Sequence, residues 1–273
     1  MSELTVCISV CGDQKYYKAM RQCMGSVIEQ SRFNLFIGHG PEFTPKPPAT
    51  PRVQQTRISL PDLPGVRARP FLYKFLTLEK MLARTQGKWV MQLDVDTVMV
   101  HPLTTQMVER ALDGHALGMA EQTTITGSQM TRADFLKHYT DHSLAWIDPQ
   151  ASPPELKNFH YFNSGVVLGL RSEFEKLVPW ALEAIGRTGN EHRVGQHMIA
   201  DQDYFQYWAN NLYPESCALL NWRWNHCRHW DQGFPHKDAY VLHFSNFCNG
   251  IGLFNLWNMR YRRFRALNRH SST

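Results

Sequence analysis

The spacing of apolar residues in the first third of the chain alternates between two patterns. Short, nearly continuous apolar runs predict buried strands, whereas apolar residues three or four positions apart predict amphipathic helices. The strand-like runs are Leu4–Val10, Phe33–Gly38 and Lys88–Leu93, and the helix-like segments are Tyr16–Gln30 and Pro70–Ala83. Gly40–Pro51 contains five prolines and is expected to be a surface loop. Strands that alternate with helices are typical of an α/β fold with a mainly parallel sheet.

The same patterns continue beyond residue 100 with longer irregular segments between them. They predict a strand at Ala116–Ala120 and helices at Leu103–Leu112, Arg132–His138, Arg171–Arg187 and Ile199–Asn211. Ser172 is expected to cap the helix that begins near Arg171. No segment indicates a second independent domain. The sequence therefore predicts one α/β domain over residues 1–250, followed by a basic, aromatic helix or tail over residues 251–273.

Two carboxylates follow the strand predicted at Lys88–Leu93. Asp94 and Asp96 are two positions apart, so they share a face if the extended conformation continues. Ligands of open α/β sheets bind at the carboxyl ends of the strands. Two converging carboxylates repel each other unless a positive charge lies between them, and a divalent cation is the usual solution. The alternative is an acidic turn that faces the solvent.

Three further segments have a composition that suggests a binding site. Asn158–Gly169 is an aromatic turn that leads through Asn163 and Ser164 into an apolar strand. Asp201–Phe205 opens a helix with the sequence Asp-Gln-Asp, and Tyr240–Phe244 is a short apolar strand that contains His243. In this order and spacing, the motifs resemble those of the GT-A glycosyltransferases, most closely glycosyltransferase family 8 and its retaining relatives. The resemblance covers residues 4 to about 250.

The resemblance implies a GT-A fold, a Rossmann-like mixed sheet that is mainly parallel and flanked by helices. It also implies a metal site of Asp94, Asp96 and His243 that holds Mn²⁺ or Mg²⁺, and a nucleotide-sugar donor, expected to be a UDP-sugar. The other residues implicated in donor binding and catalysis are Asn163, Ser164, Asp201, Gln202, Asp203, Lys74 and Asp13. After His243-Phe244 the chain reads Ser-Asn-Phe-Cys-Asn-Gly, in place of the Gly-x-x-Lys-Pro-Trp continuation that is usual in family 8.

The expected roles of these residues follow from their chemistry. Asp201 and Asn163 would hydrogen-bond sugar hydroxyls, and Gln202 would lie near the anomeric carbon, where an amide acts by position or electrostatics. Asp203 would contact the sugar or orient Gln202. Each assignment has a structural alternative: acidic residues also favour helix N-termini, and a lone histidine at a strand end is often a structural residue.

Composition limits the classes of protein to which the chain can belong. With 43% hydrophobic and 19% charged residues, it fits a folded globular protein. No apolar run approaches the ~20 residues needed to cross a bilayer, and the N-terminus lacks the pattern of a secretory signal. The six cysteines include no C-x-x-C pair, so free thiols in a reducing compartment are favoured. We expect a cytoplasmic protein, with attachment to a membrane surface as an alternative.

Net charge is +5, and part of it lies near the C-terminus, at Arg260, Arg262, Arg263 and Arg265. A basic helix with aromatic residues suits either a membrane surface or a nucleic acid, and a solvated helix packed on the core is the third interpretation. The tryptophans of the stretch Asn221–Trp230 either contact the acceptor or fill the core, and acceptor contact is the favoured interpretation.

The sequence thus predicts a metal-dependent glycosyltransferase, retaining by resemblance, that acts on a glycan or glycolipid. Alternatives are a glycosyltransferase that modifies nucleic acid such as phage DNA, a nucleotidyltransferase, and a sugar-nucleotide-binding protein on the same fold.

Overall fold

The computed structural model describes residues 3–59, 72–125, 128–188, 193–194, 197–198, 200–227, 234–245 and 253–270. Its strands are β1 (Leu4–Val10), β2 (Asn34–His39), β3 (Val53–Arg57), β4 (Trp89–Leu93), β5 (Thr97–Met99), β6 (Leu117–Glu121), β7 (Thr124–Ile125), β8 (Ser128–Gln129), β9 (Phe162–Leu170), β10 (Arg193–Val194), β11 (His197–Met198), β12 (Cys217–Leu220), β13 (His226–Cys227) and β14 (Val241–His243). Its α-helices are α1 (Gln14–Gln30), α2 (Leu72–Arg84), α3 (Thr105–Leu112), α4 (Arg132–His138), α5 (Ala145–Ile147), α6 (Arg171–Thr188), α7 (Asp201–Tyr207) and α8 (Leu253–His270).

The main sheet has seven strands in the order β12-β6-β9-β4-β1-β2-β3. All of its neighbouring pairs are parallel except those of β9, which runs antiparallel to both β4 and β6. The prediction of a mixed, mainly parallel α/β sheet is confirmed. Helices cover both of its faces, and this explains why the central strands are apolar along their whole length.

The two faces of the sheet carry separate apolar cores. One core joins the sheet to α1 and α3, through residues such as Met20 and Val108. The other joins it to α2, α6 and α7, through residues such as Phe75 and Phe174. Strand β4 contributes side chains to both cores, because successive side chains point to opposite faces of the sheet. This central position holds the end of β4, and the acidic residues that follow it, in a fixed place.

A second, three-stranded sheet has the order β13-β14-β5 and lies directly behind Asp96. Strand β5 begins at the next residue, Thr97, and pairs antiparallel with β14, so that His243 lies opposite Thr97. The N–H of Phe244 donates to the carbonyl of Asp96 at 2.9 Å. Backbone pairing therefore brings a histidine from late in the chain to the acidic turn.

Helix α8 packs against α1 and β5. Its inward side chains Met259 and Ala266 are buried in a small apolar cluster with Val98 of β5 and Leu242 of β14. The division of the chain at residue 250 stays a prediction. No helix in the described part of the chain is both long and apolar enough to span a bilayer. The five described cysteines are free thiols, and Cys248 lies outside the described residues.

Three local expectations need correction. Ser172 lies inside α6, which starts at Arg171 directly after β9, so Ser172 is not a cap. The helix predicted at Ile199–Asn211 is α7, which continues as a π-helical turn at Trp208–Leu212. Trp224 is buried and packs edge-on against Tyr240, so it belongs to the core and does not contact an acceptor. Residues 228–230 of that Trp-rich stretch lie outside the described residues.

Candidate functional site

Asp94, Asp96 and His243 converge at the carboxyl end of β4. Each offers a ligand atom, and these atoms all lie within 4.8 Å of one another. Nε2 of His243 is 3.4 Å from Oδ1 of Asp96 and 4.0 Å from Oδ2 of Asp94. Two carboxylates and one imidazole suit Mn²⁺ and related divalent ions. The three residues therefore fit a metal ion by both their spacing and their donor atoms.

The imidazole of His243 is held from its other nitrogen. Nδ1 of His243 lies 3.0 Å from Oδ1 of Asn225, and Nδ2 of Asn225 donates to Oδ1 of Asn163 at 2.7 Å. An amide oxygen can only accept, so Nδ1 carries a proton in either charge state of the ring, and Nε2 faces the carboxylates. Such a partner on the far side of the ring fixes the orientation of a metal-binding histidine.

A glycine makes room for this ring. A Cβ atom built on Gly165 would lie 2.5 Å from Nδ1 of His243 and 2.9 Å from Oδ1 of Asn163. Strand β9 brings Gly165 here because it pairs antiparallel with β4, and the N–H of Asp94 donates to the carbonyl of Gly165 at 2.9 Å. The Asn163-Ser164-Gly165 segment and the acidic turn are thus adjacent through one backbone ladder.

Lys74 of α2 is buried between two carboxylates. Its Nζ atom lies 2.8 Å from Oδ1 of Asp94 and forms a very short ion pair with Asp201. Nζ also donates to the carbonyl and hydroxyl oxygens of Ser164, at 3.3 and 3.4 Å. The Ser164 hydroxyl in turn donates to Asp201 at 2.8 Å. Lys74 therefore joins the metal-site carboxylate to the residues expected to contact the sugar.

Gln202 follows Asp201 and has protein partners at both ends of its amide. Its Oε1 accepts from Nδ2 of Asn163 at 3.0 Å, and its Nε2 donates to Oε1 of Gln122 at 3.3 Å. Gln122 also accepts from Asn163 at 3.3 Å. The amide of Gln202 is held in one orientation beside the buried carboxylate of Asp201.

The carboxylates of Asp203 and Asp13 accept hydrogen bonds from backbone N–H groups near helix N-termini. Oδ2 of Asp203 accepts the N–H of Ala200 at 2.7 Å, and Oδ1 accepts the hydroxyl of Ser143. Asp13 is exposed at the N-cap of α1 and accepts the N–H of Lys15 at 3.0 Å. The contacts with Ala200 and Lys15 are those of helix capping, and any contact of either residue with a donor stays a prediction.

Opposing effects set the proton affinities in the site. Burial alone would lower the pKa of Lys74, but attraction to Asp201 and Asp94 raises it above its ordinary value. Burial raises the pKa of Asp94, with Lys74 acting in the opposite direction. Burial would also raise the pKa of Asp96 and lower that of His243, but their mutual attraction lowers the first and raises the second. The metal-free site thus favours a charged His243 beside a charged Asp96.

The acidic turn opens into a cavity of about 210 Å³. Its lining includes the end of β1 at Ser9 and Val10, together with Tyr16, Lys74 and Asp201. A wider groove of about 1130 Å³ lies at the opposite end of the strands, beside the first residues of β1 and β2. Volume alone would favour that groove, but the smaller cavity contains the converging carboxylates and lies where ligands of open α/β sheets bind.

Comparison with solved structures identifies the architecture. A crystal structure of the galactosyltransferase LgtC in complex with donor and acceptor sugar analogs matches with a TM-score of 0.57 and 11% identity, over 96% of this chain and 95% of that one. An active-site glutamine-to-glutamate mutant of LgtC matches with a TM-score of 0.56 and 10% identity, over 94% and 95%. The chain has the GT-A fold. No family model matches the sequence, and no curated protein does so either.

Within this GT-A fold, two residues of the site were not found from the sequence. Gln122 and Asn225 contact the amides and the imidazole of the residues that the motifs do identify. Gln122 follows β6 in a polar, irregular segment, and Asn225 lies at the end of a short 3₁₀ turn among tryptophans. Neither position belongs to a periodic pattern, so only the density of polar residues around Asn225 could have indicated it.

Proposed function

We propose that this chain is a metal-dependent glycosyltransferase that moves a sugar from a nucleotide-sugar donor to an acceptor hydroxyl. The observation that carries the proposal is the joining of two clusters at the carboxyl end of β4. The metal-ligating set of Asp94, Asp96 and His243 adjoins the hydrogen-bonded set that contains Asn163, Asp201 and Gln202. The shared fold with the LgtC galactosyltransferase supports the reaction class.

Asp94, Asp96 and His243 would hold Mn²⁺, or Mg²⁺, against the donor diphosphate. The ion would supply Lewis-acid stabilisation of the negative charge that develops on the leaving group. The protein supplies the orientation: Asn225 fixes the His243 ring, and Lys74 compensates the charge of Asp94. A nucleoside, expected to be uridine, would lie near the end of β1, in the cavity lined by Ser9, Val10 and Tyr16.

Gln202 and Asp201 would act on the sugar. Asp201 presents a buried carboxylate whose charge is balanced by Lys74, which suits a role in binding sugar hydroxyls. The amide of Gln202, held by Asn163 and Gln122, would place a partial negative charge beside the anomeric centre, where positive charge develops. We further propose transfer with retention of anomeric configuration, on the basis of the motif resemblance, and an acceptor that is a glycan or glycolipid.

The decisive experiment measures release of nucleoside diphosphate from a panel of nucleotide sugars with Mn²⁺, Mg²⁺ or EDTA. We expect turnover with Mn²⁺ that is abolished by EDTA, by Asp94→Asn and by Asp96→Asn. Asp113→Asn, an isosteric change at an exposed residue after α3, is the matched control and should keep full activity.

Each contrary outcome identifies a different class of protein. Unchanged turnover of Asp96→Asn in EDTA would remove the metal from the mechanism. Formation of nucleoside triphosphate and sugar 1-phosphate on addition of pyrophosphate would indicate a nucleotidyltransferase. Donor binding by thermal shift, with no turnover on any donor, would leave a sugar-nucleotide-binding protein. The anomeric configuration of the product, read by NMR, tests retention separately.

A further inference from the structure

Helix α8 presents an aromatic stripe on the side that faces away from the core. Trp257 and Phe264 are 62% and 61% exposed, and Tyr261 between them is also exposed. Spacings of four and three residues place the three rings on one face of the helix. Large exposed aromatic residues that form a contiguous patch mark an interaction surface more often than single ones do.

The stripe is held rigidly on the protein. Arg263 forms a two-pronged ion pair with Glu29 of α1 and donates to Gln22 at 3.3 Å. Its guanidinium crosses over Gly25, where a Cβ atom would collide with it. Together with the buried Met259, these contacts attach one side of α8 to α1 and leave the opposite side to the solvent. The interpretation of this segment as a helix packed on the core is thus correct for one of its faces.

Positive charge accompanies the exposed rings. Arg260, Arg262 and Arg265 lie beside the stripe, and the segment Leu253–His270 contains no Asp or Glu. Among the described residues of α8, Arg263 forms an ion pair with Glu29, whereas Arg260, Arg262 and Arg265 flank the exposed rings. A partner complementary to this face is anionic and accepts aromatic rings.

The arrangement of the rings favours a lipid surface over a nucleic acid as the partner of this face. Trp257 and Tyr261 stack on each other, with centroids 5.5 Å apart and planes 4° from parallel. The guanidiniums of Arg262 and Arg265 lie 5.8 and 5.9 Å from the Tyr261 centroid. A nucleobase binds by stacking on an open aromatic face, and Trp257 already stacks on one face of Tyr261, with both guanidiniums close to the same ring. Insertion of the ring edges between lipid headgroups needs no open face, and arginines can reach the phosphates from such a position.

We propose that α8 is an interfacial helix that docks the protein on an anionic lipid bilayer. Trp257, Tyr261 and Phe264 enter the headgroup region, and Arg260, Arg262 and Arg265 bind lipid phosphates. This docking is independent of the proposed reaction, because none of these six residues belongs to the candidate active site.

The test is co-sedimentation of the full chain with vesicles of phosphatidylcholine alone or with one third phosphatidylglycerol. We expect binding to the anionic vesicles that weakens with added salt, and little binding to neutral ones. The triple variant Arg260→Gln/Arg262→Gln/Arg265→Gln should bind about a hundredfold more weakly, since each arginine near such a surface contributes roughly fivefold. The double variant Trp257→Ser/Phe264→Ser should also lose binding, although it keeps every charge.

The matched control is Lys137→Gln/Lys157→Gln/Arg187→Gln, which removes the same charge from exposed side chains elsewhere. It should bind like the wild type. All variants should melt within a few degrees of the wild type, because the altered side chains are at the surface. Equal weakening in the control would reduce the effect to net charge and overturn the proposal. Failure to bind anionic vesicles at low salt would also overturn it. Binding to single-stranded oligonucleotides that these α8 variants abolish, without vesicle binding, would assign the face to nucleic acid instead.

Discussion

Replacement of Lys74 by methionine tests whether the buried cation holds the candidate site together. The side chains of Lys74 and Asp201 are each only 7% exposed, and Nζ of Lys74 contacts Asp201, Asp94 and both Ser164 oxygens. Methionine resembles the apolar stem of lysine but lacks the ammonium group, so two carboxylates are left without their cation. Removal of one partner from a buried ion pair costs ~3–5 kcal/mol of the free energy of unfolding.

The assay is urea denaturation, followed by tryptophan fluorescence, of the wild type and two variants. Lys80→Met is the matched control, because Lys80 lies on the same helix with its side chain 50% exposed and pairs with Glu79 at the surface. The control should lose less than ~1 kcal/mol. The double variant Lys74→Met/Asp201→Leu should recover part of the lost stability, since it removes the more deeply buried of the two unpaired charges.

The pH dependence of this loss has a definite sign. Lys74 opposes the burial that raises the pKa of Asp94, so without Lys74 the pKa of Asp94 in the folded protein rises further above that of the unfolded chain. A carboxyl group with a raised folded pKa destabilises the fold above that pKa, and the penalty fades as falling pH protonates it. The stability difference between wild type and Lys74→Met should therefore be larger at pH 8 than at pH 5. A loss no greater than that of Lys80→Met, or one independent of pH, would refute the role assigned to Lys74.

The remaining predictions concern the metal and sugar residues. Asn225→Ala should weaken Mn²⁺ binding about tenfold to hundredfold in calorimetry without a donor, and an unchanged affinity would show that Asn225 does not orient the ring. Gly165→Ala should displace the His243 imidazole and lower both Mn²⁺ affinity and melting temperature, whereas a wild-type melting curve would contradict the close approach seen here. Because the pKa of His243 is raised in the metal-free protein, Mn²⁺ must displace a proton, so its affinity should fall as pH falls from 7.5 to 5.5; a flat profile would exclude His243 as a ligand. Gln202→Ala should lower kcat and leave the Kd of the nucleoside diphosphate nearly unchanged, and an equal loss in both would place Gln202 in nucleotide binding.

Sequence patterns predicted those elements whose apolar residues follow a regular spacing along the chain. Strand β1 was predicted with its observed bounds, and α1 and β4 to within two residues at each end, because their apolar spacing is continuous. Strand β3 was missed because it lies at the sheet edge, where four of the five side chains of Val53–Arg57 are polar and none is buried. The antiparallel direction of β9 depends on its pairing with β4 and β6, and no local pattern encodes such a partner.

The residues of the candidate site divide in the same way, into those that a local pattern marks and those that only their neighbours define. Asp94 and His243 could be singled out because each follows or ends an apolar strand, and the motif order placed them together. Lys74 was recognised as a candidate, but its burial between two carboxylates could not be foreseen from one polar position in an amphipathic helix. Gln122 and Asn225 form hydrogen bonds that connect other side chains of the site. The sequence does not mark such residues, because their role depends on neighbours that only the folded structure brings together.

The antiparallel pairing of β5 with β14 also has a consequence for when the candidate site can form during translation. Asp96 and Phe244 are joined by one backbone hydrogen bond, yet more than half of the chain separates them. A ribosome that has synthesised the main sheet has therefore produced a nascent chain with two of the three candidate metal ligands. Such a chain cannot close the site until His243 has left the exit tunnel, so metal capture and catalytic competence should appear together, late in translation.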